Sequence, residues 1–165
     1  MGPVRPEAFI MEFRYDTYCG LYCGACPFLL ATERGRLAAL VKGESIPEAD
    51  AACHGCKSAA ANLFCRDCEL SACARGRGVA FCGDCGDYPC GRLTSFRNDK
   101  YAHHSVVFKN LARIRDAGAA TWLVEQEARW RCQKCGERAA WYDGQCPNCG
   151  APFQDCRAEE AGLDA

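Results

Sequence analysis

Cysteine carries the chemistry of this sequence. There are sixteen in 165 residues, and twelve of them fall into six Cys-x2-Cys pairs: Cys23/Cys26, Cys53/Cys56, Cys65/Cys68, Cys82/Cys85, Cys132/Cys135 and Cys146/Cys149. Such a pair presents two thiolates to one tetrahedral ion from a tight turn, and two pairs close a structural site. Disulfide frameworks space their cysteines more widely and belong to exported chains. Met1 to Arg14 lacks the basic-then-apolar order of an export signal. The spacing therefore points to metal, and the protein is read as cytoplasmic.

Eight thiols fill the 38 residues from Cys53 to Cys90: Cys53, Cys56, Cys65, Cys68, Cys73, Cys82, Cys85 and Cys90. Eight ligands make two closed sites. Sequential grouping gives Cys53/Cys56/Cys65/Cys68 and Cys73/Cys82/Cys85/Cys90, and is preferred because short loops close at lower entropic cost. Interleaved grouping, which would cross-brace the segment, is the alternative.

Cys19, Cys23 and Cys26 have the Cys-x3-Cys-x2-Cys spacing of the radical-SAM cluster loop. The chain is too short, and too poor in strand–helix repeats, to build the barrel such an enzyme needs. A bare iron–sulfur cluster is one reading of this trio. The plainer one is a zinc site completed by His54, His103, His104 or water. Water would leave an open position, as catalytic rather than structural zinc does. Cys26 precedes Pro27, a residue suited to a first helical turn, so a helix dipole would favour its thiolate. Gly20 and Gly24 would let a ligand approach the backbone. The trio is thus expected to be the most reactive of the thiol groups.

Near the C-terminus, Cys132/Cys135 and Cys146/Cys149 form two knuckles, each followed by glycine. They mark a zinc ribbon or rubredoxin-like site, with zinc favoured over iron. Trp141-Tyr142 would be a hairpin strand and Asp143-Gly144 its turn. The cofactor expectation is three to four zinc ions, with an iron–sulfur cluster as the alternative at the trio. Cys156 has no partner in this scheme and reads as an exposed free thiol.

The elements that must position these thiols are few. Residues 1–16 form a lead-in, 17–98 a cysteine-rich metal-binding domain, 99–130 a helical hairpin, 131–150 the zinc ribbon and 151–165 a frayed tail. A helical pattern runs from Phe28 through Leu30, Leu37, Leu40 and Val41, weakened by Gly35 and ended by Gly43. A strand is expected near Val79 to Phe81 and a helical turn over Arg92 to Phe96. Val107, Leu111 and Ile114 recur at helical spacing, Gly118 suits a helix end, and a second helix spans Thr121 to Trp130. The fold class is a small α+β protein: a metal-stabilised irregular cysteine-rich domain, a helical hairpin and a C-terminal zinc ribbon.

The run Tyr18-Cys19-Gly20-Leu21-Tyr22-Cys23-Gly24-Ala25-Cys26-Pro27, followed by Cys53-x-Gly55-Cys56, Cys65-x2-Cys68, Cys73-Ala74, Cys82-x2-Cys85 and Tyr88-Pro89-Cys90, resembles domain-of-unknown-function family 3795 over roughly residues 17 to 97. That family is cysteine-rich, prokaryotic and presumed to bind zinc. The C-terminal ribbon looks like a module appended in some members. The resemblance implies metal binding and supplies no reaction.

Charge is nearly balanced, with 20 Lys+Arg against 21 Asp+Glu. Each four-thiolate zinc site adds two negative charges, which weighs against a general affinity for nucleic acid. No apolar run is long enough to span a membrane. The sequence holds no hydrolase triad, no phosphate-cradling glycine loop and no His-Glu-x2-His motif, so no catalytic residue is assigned. The leading reading is a zinc-binding, non-catalytic structural or interaction module with a protein partner. One alternative is a redox or metal-handling protein with an iron–sulfur cluster at Cys19/Cys23/Cys26. The other is a nucleic-acid-binding regulator that uses Arg92, Arg97, Lys100, Lys109, Arg113 and Arg115 with Phe96, Tyr101 and Phe108.

Overall fold

The computed structural model describes residues 11–163. The first ten residues of the expected lead-in and the last two of the expected tail lie outside them. Pro27 opens the first helix, α1 (Pro27–Glu33), with Cys26 as its extended N-cap. A proline costs nothing there, because its missing N–H would have had no partner in the helix. Gly35 adopts φ 61° and divides what the apolar spacing reads as one helix. The chain resumes as α2 (Leu37–Leu40) and, after a loop, α3 (Glu48–Ala51). These three close a small core of Ala31, Leu37 and Ala51.

The cysteine-rich segment beyond Ala52 is mostly loop. It contains α4 (Glu69–Arg77), a 3-10 turn at Cys82–Asp84 and α5 (Gly91–Arg97). A further 3-10 turn at Ala102–His104 leads into a helical hairpin, α6 (Val107–Ala117) and α7 (Ala119–Arg129), joined at Gly118. The last helix, α8 (Cys156–Leu163), packs against the Ala102–His104 turn.

The hairpin supplies the main core. Val107, Leu111 and Ile114 lie on one face of α6 at helical spacing, and all three are buried with Trp122 and Trp130. Leu21, Tyr22 and Ala25 from the N-terminal cysteine loop join them, as do Leu70 of α4 and Leu93 of α5. Gly20 sits where that loop meets α6. Its φ is 89°, and a side chain there would come within 2.9 Å of Leu111 and 3.1 Å of the Val107 carbonyl. Asn110, buried on the same helix, donates to the Gly20 carbonyl at 2.8 Å. The glycine thus admits a helix to the backbone, not a ligand.

The α+β expectation is overturned. Among the described residues there is no sheet; the only β pairing is two isolated bridges, Arg131↔Arg138 and Gln145↔Pro152. Val79 to Phe81 forms no strand, and Trp141-Tyr142 lies in a turn. The C-terminal segment is therefore not a zinc ribbon. Its backbone groups are committed elsewhere. Cys132 N–H bonds Glu137 O and Gly136 N–H bonds Cys132 O, so the first knuckle closes on itself; Cys146 with Ala151 and Gly150 with Cys146 close the second. Trp141 N–H goes to Ala25 O, and Cys156 N–H to Trp141 O. A ladder between the knuckles would need those donors. The protein is predominantly helical, with knuckles and loops between the helices.

Residues 151–163 are likewise no frayed end. Cys156 is 1 % exposed within the main core, and burial pushes its thiol up to about 11. No helix among the described residues is long and apolar enough to cross a membrane.

Candidate metal centre

Cys132, Cys135, Cys146 and Cys149 are brought together. Their sulfurs all lie within 4.8 Å of one another, with Cys132 Sγ 3.7 Å from Cys149 Sγ and Cys135 Sγ 3.5 Å from Cys146 Sγ. Four thiolates about 2.3 Å from a tetrahedral zinc would stand about 3.8 Å apart, whereas a disulfide would hold two sulfurs at about 2.05 Å. The quartet fits a four-coordinate metal, and all sixteen cysteines are free of disulfides.

The knuckles also aim backbone dipoles at the sulfurs. N–H groups of Cys135 and Lys134 lower the Cys132 thiol. The Glu137 N–H and the Asn148 side chain draw Cys135 down to about 6. Cys149 accepts the Ala151 N–H, yet desolvation and its three neighbouring sulfurs push it up to about 11. Four thiols in mutual contact cannot all ionise alone, and a divalent cation removes that conflict. Thiolate donors suit a soft or borderline ion such as zinc rather than calcium or magnesium.

Three of the four bonds that seat this centre join residues more than a hundred positions apart. The Arg34 guanidinium pairs with Glu137 and donates to Arg138 O at 3.0 Å. Arg138 in turn pairs with Glu33, which accepts the Tyr15 hydroxyl. Partners about a hundred residues apart have no spacing signature, and sequence reasoning missed them.

Cys156 aside, the other eleven thiols gather into neighbourhoods rather than finished quartets. Among the described residues, no second group of three or more metal-type side chains meets within 4.8 Å. Cys23, Cys26 and Cys53 share one buried cluster with Leu29, and Cys56 packs beside it. Cys19 belongs to the main core, where Cys68, Cys82 and Cys90 pack at the edge. Cys85 accepts a bond from Arg77 Nη1 at 3.4 Å, and the same guanidinium is influenced by Cys73. Cys82 is pushed up to about 11, first by burial and then by Cys90, Cys73 and Cys85.

Burial works against ionisation of the free thiols in the N-terminal trio. Burial raises Cys19 to about 12 and Cys26 to about 11, and carries Cys23 far above its ordinary value. The first-turn amides of Phe28 and Leu29 do reach the Cys26 sulfur and oppose the rise, but desolvation exceeds them. Exposure favours Cys135 instead.

The histidines are engaged elsewhere. His103 stacks on Trp141, with ring centroids 4.0 Å apart, and its Nδ1 meets the Tyr142 hydroxyl at 2.9 Å. His104 Nδ1 meets Asp99 at 2.8 Å, and its ring stacks on Phe96. His54 stacks on Phe13, and its buried Nδ1 has no hydrogen-bond partner among the described residues. Lys57, which spacing also missed, bonds Asp16 at 2.8 Å and Ala80 O at 2.7 Å over the Phe81 ring.

Residues 15–95, just under half of the chain, match a family model described as protein of unknown function (DUF3795). No curated protein and no solved structure matches.

Proposed function

We propose that the protein is a zinc-binding, non-catalytic module in which several Cys-ligated zinc ions brace a small helical fold and present its surface to a protein partner. The observation that carries this reading is the quartet at Cys132, Cys135, Cys146 and Cys149, with four sulfurs at tetrahedral spacing on two self-closed knuckles. The match to a cysteine-rich family model of unknown function agrees with it. Small folds of this kind commonly draw part of their folding free energy from the metal.

The basic stretch gives the nucleic-acid reading little support. Arg92 faces Glu69 at 3.7 Å, Lys109 pairs with Glu159 at 3.1 Å, and Arg113 grips Glu125 through two nitrogens. Arg115 lies over the Tyr88 ring. Cations already matched to carboxylates have less to offer a phosphate backbone.

Elemental analysis of anaerobically purified wild type and Cys135→Ser tests the quartet. The variant is expected to carry one zinc fewer per chain. Identical metal content in the two proteins would remove the basis of the proposal.

A further inference from the structure

We propose that Cys23, Cys26, Cys53 and Cys65 form a second tetrathiolate zinc site, while Cys19, Cys56 and Cys68 gather beside it as a separate three-thiolate group. The assignment rests on the zinc-module reading above and sets the ligand grouping within it. It divides the N-terminal trio, and it divides both the Cys53/Cys56 and the Cys65/Cys68 pairs.

Cys23, Cys26 and Cys53 are already buried in one cluster with Leu29. Two consecutive residues bracket them: Arg14 N–H bonds His54 O at 2.7 Å, and Cys23 N–H bonds Tyr15 O at 2.8 Å. The first of these bonds needs Gly55. Its φ is 110°, and a side chain there would fall 1.8 Å from the Arg14 carbonyl oxygen. Cys53 is held against α1, its N–H bonding Thr32 Oγ1 at 3.0 Å, and its sulfur accepts the Gly55 N–H at 3.4 Å. The Cys23 sulfur accepts the Cys56 N–H. Amides directed at sulfur favour the thiolate form that a metal requires.

Cys65 reaches the same place from a different loop. The buried Asn62 side chain accepts the Phe64 and Cys65 N–H groups at 3.1 and 3.2 Å, and Leu63 N–H bonds Asp50 O at 2.9 Å. Phe64, one residue before Cys65, packs on Phe28, two residues after Cys26, with ring centroids 5.3 Å apart. The thiols that act most strongly on Cys65 are accordingly Cys26 and then Cys53. Cys56 packs at the edge of that cluster and faces a second set of partners. It accepts the Tyr18 N–H and lies near Cys68 and Ser71, while the thiols acting on Cys19 are Cys56 and Cys68. Cys53/Cys56 and Cys65/Cys68 therefore each send one sulfur to each group, as a cross-braced double site does, while Cys23 and Cys26 stay together. The four sulfurs do not yet stand within 4.8 Å of one another, so binding would draw them in by side-chain rotation.

The full chain, loaded anaerobically with cadmium-113, reads the grouping directly through proton–cadmium correlations to cysteine Hβ atoms. One cadmium resonance is expected to couple to Cys23, Cys26, Cys53 and Cys65, and another to the C-terminal quartet. A resonance shared by Cys53, Cys56, Cys65 and Cys68, or by Cys19, Cys23 and Cys26, would overturn the grouping. So would a quartet signal with no second cadmium in residues 19–68, and in each of these cases the quartet signal leaves the zinc-module reading standing. Failure of the chain to bind any cadmium would sink both.

Discussion

Asn110 shows how a single polar side chain can locate the cysteine loop. It is 4 % exposed, on a helix face otherwise occupied by Val107, Leu111 and Ile114, and its carboxamide holds the Gly20 carbonyl at 2.8 Å. Truncation leaves that carbonyl buried without its partner. Asn110→Ala is expected to cost about 1–3 kcal/mol in chemical denaturation; a loss below a few tenths would show that the bond does not anchor the loop. The apolar period made α6 legible in the sequence, but the same period hid Asn110, because a lone polar residue among apolar ones carries no mark of its partner. Cysteine spacing behaved similarly. It identified the four members of the C-terminal cluster, which lie close in sequence. It could not show which of Cys19, Cys23 and Cys26 turn toward Cys53, since that depends on bonds from Arg14 and Tyr15.

Among the elements, the Ala102–His104 turn joins the two cysteine-bearing parts of the chain. His103 is packed on Trp141 and bonded to Tyr142; burial, then His104, lowers its ring to about 3 from an ordinary 6.5, with Asp99 opposing. The unfolded chain therefore takes up the proton first as pH falls. The contribution of His103 is complete above about 6.5 and declines as pH drops toward about 3. Urea unfolding of the zinc-loaded wild type at pH ~7 and ~5 should show a larger loss than His103→Phe suffers over the same step, since thiolate protonation is common to both. Equal losses would contradict the role given to this ring. Helix positions were largely legible, from Pro27 at the start of α1 to Gly118 between α6 and α7. Strands in the last segment were misread, because knuckle spacing specifies ligands and says nothing about where the intervening N–H groups bond. Trp141 N–H crosses to Ala25 O instead of a neighbouring strand.

In the molecule as a whole, the C-terminal knuckles are tied to the N-terminal cysteine loop. Trp141 N–H to Ala25 O, Arg34 to Glu137 and Glu33 to Arg138 all cross between them. Sequence spacing suggests a separable end, yet these contacts and the burial of Cys156 argue for one cooperative unit. Cys146→Ser is expected to lower the thermal midpoint of the entire chain in a single transition. Two resolved transitions by calorimetry, one unchanged from wild type, would show the end unfolding alone.

Metal is the central claim at this scale, because Cys132, Cys135, Cys146 and Cys149 stand in a group that a cation can hold together and the proposed function extends metal binding to further cysteines. Native mass spectrometry of protein purified without oxygen measures it directly, counting bound ions and protons on one intact chain. The account predicts three or four zinc ions per chain, with each bound zinc displacing thiol protons and no disulfides formed. Fewer than two metals of any kind, with cysteines joined as disulfides, would contradict it.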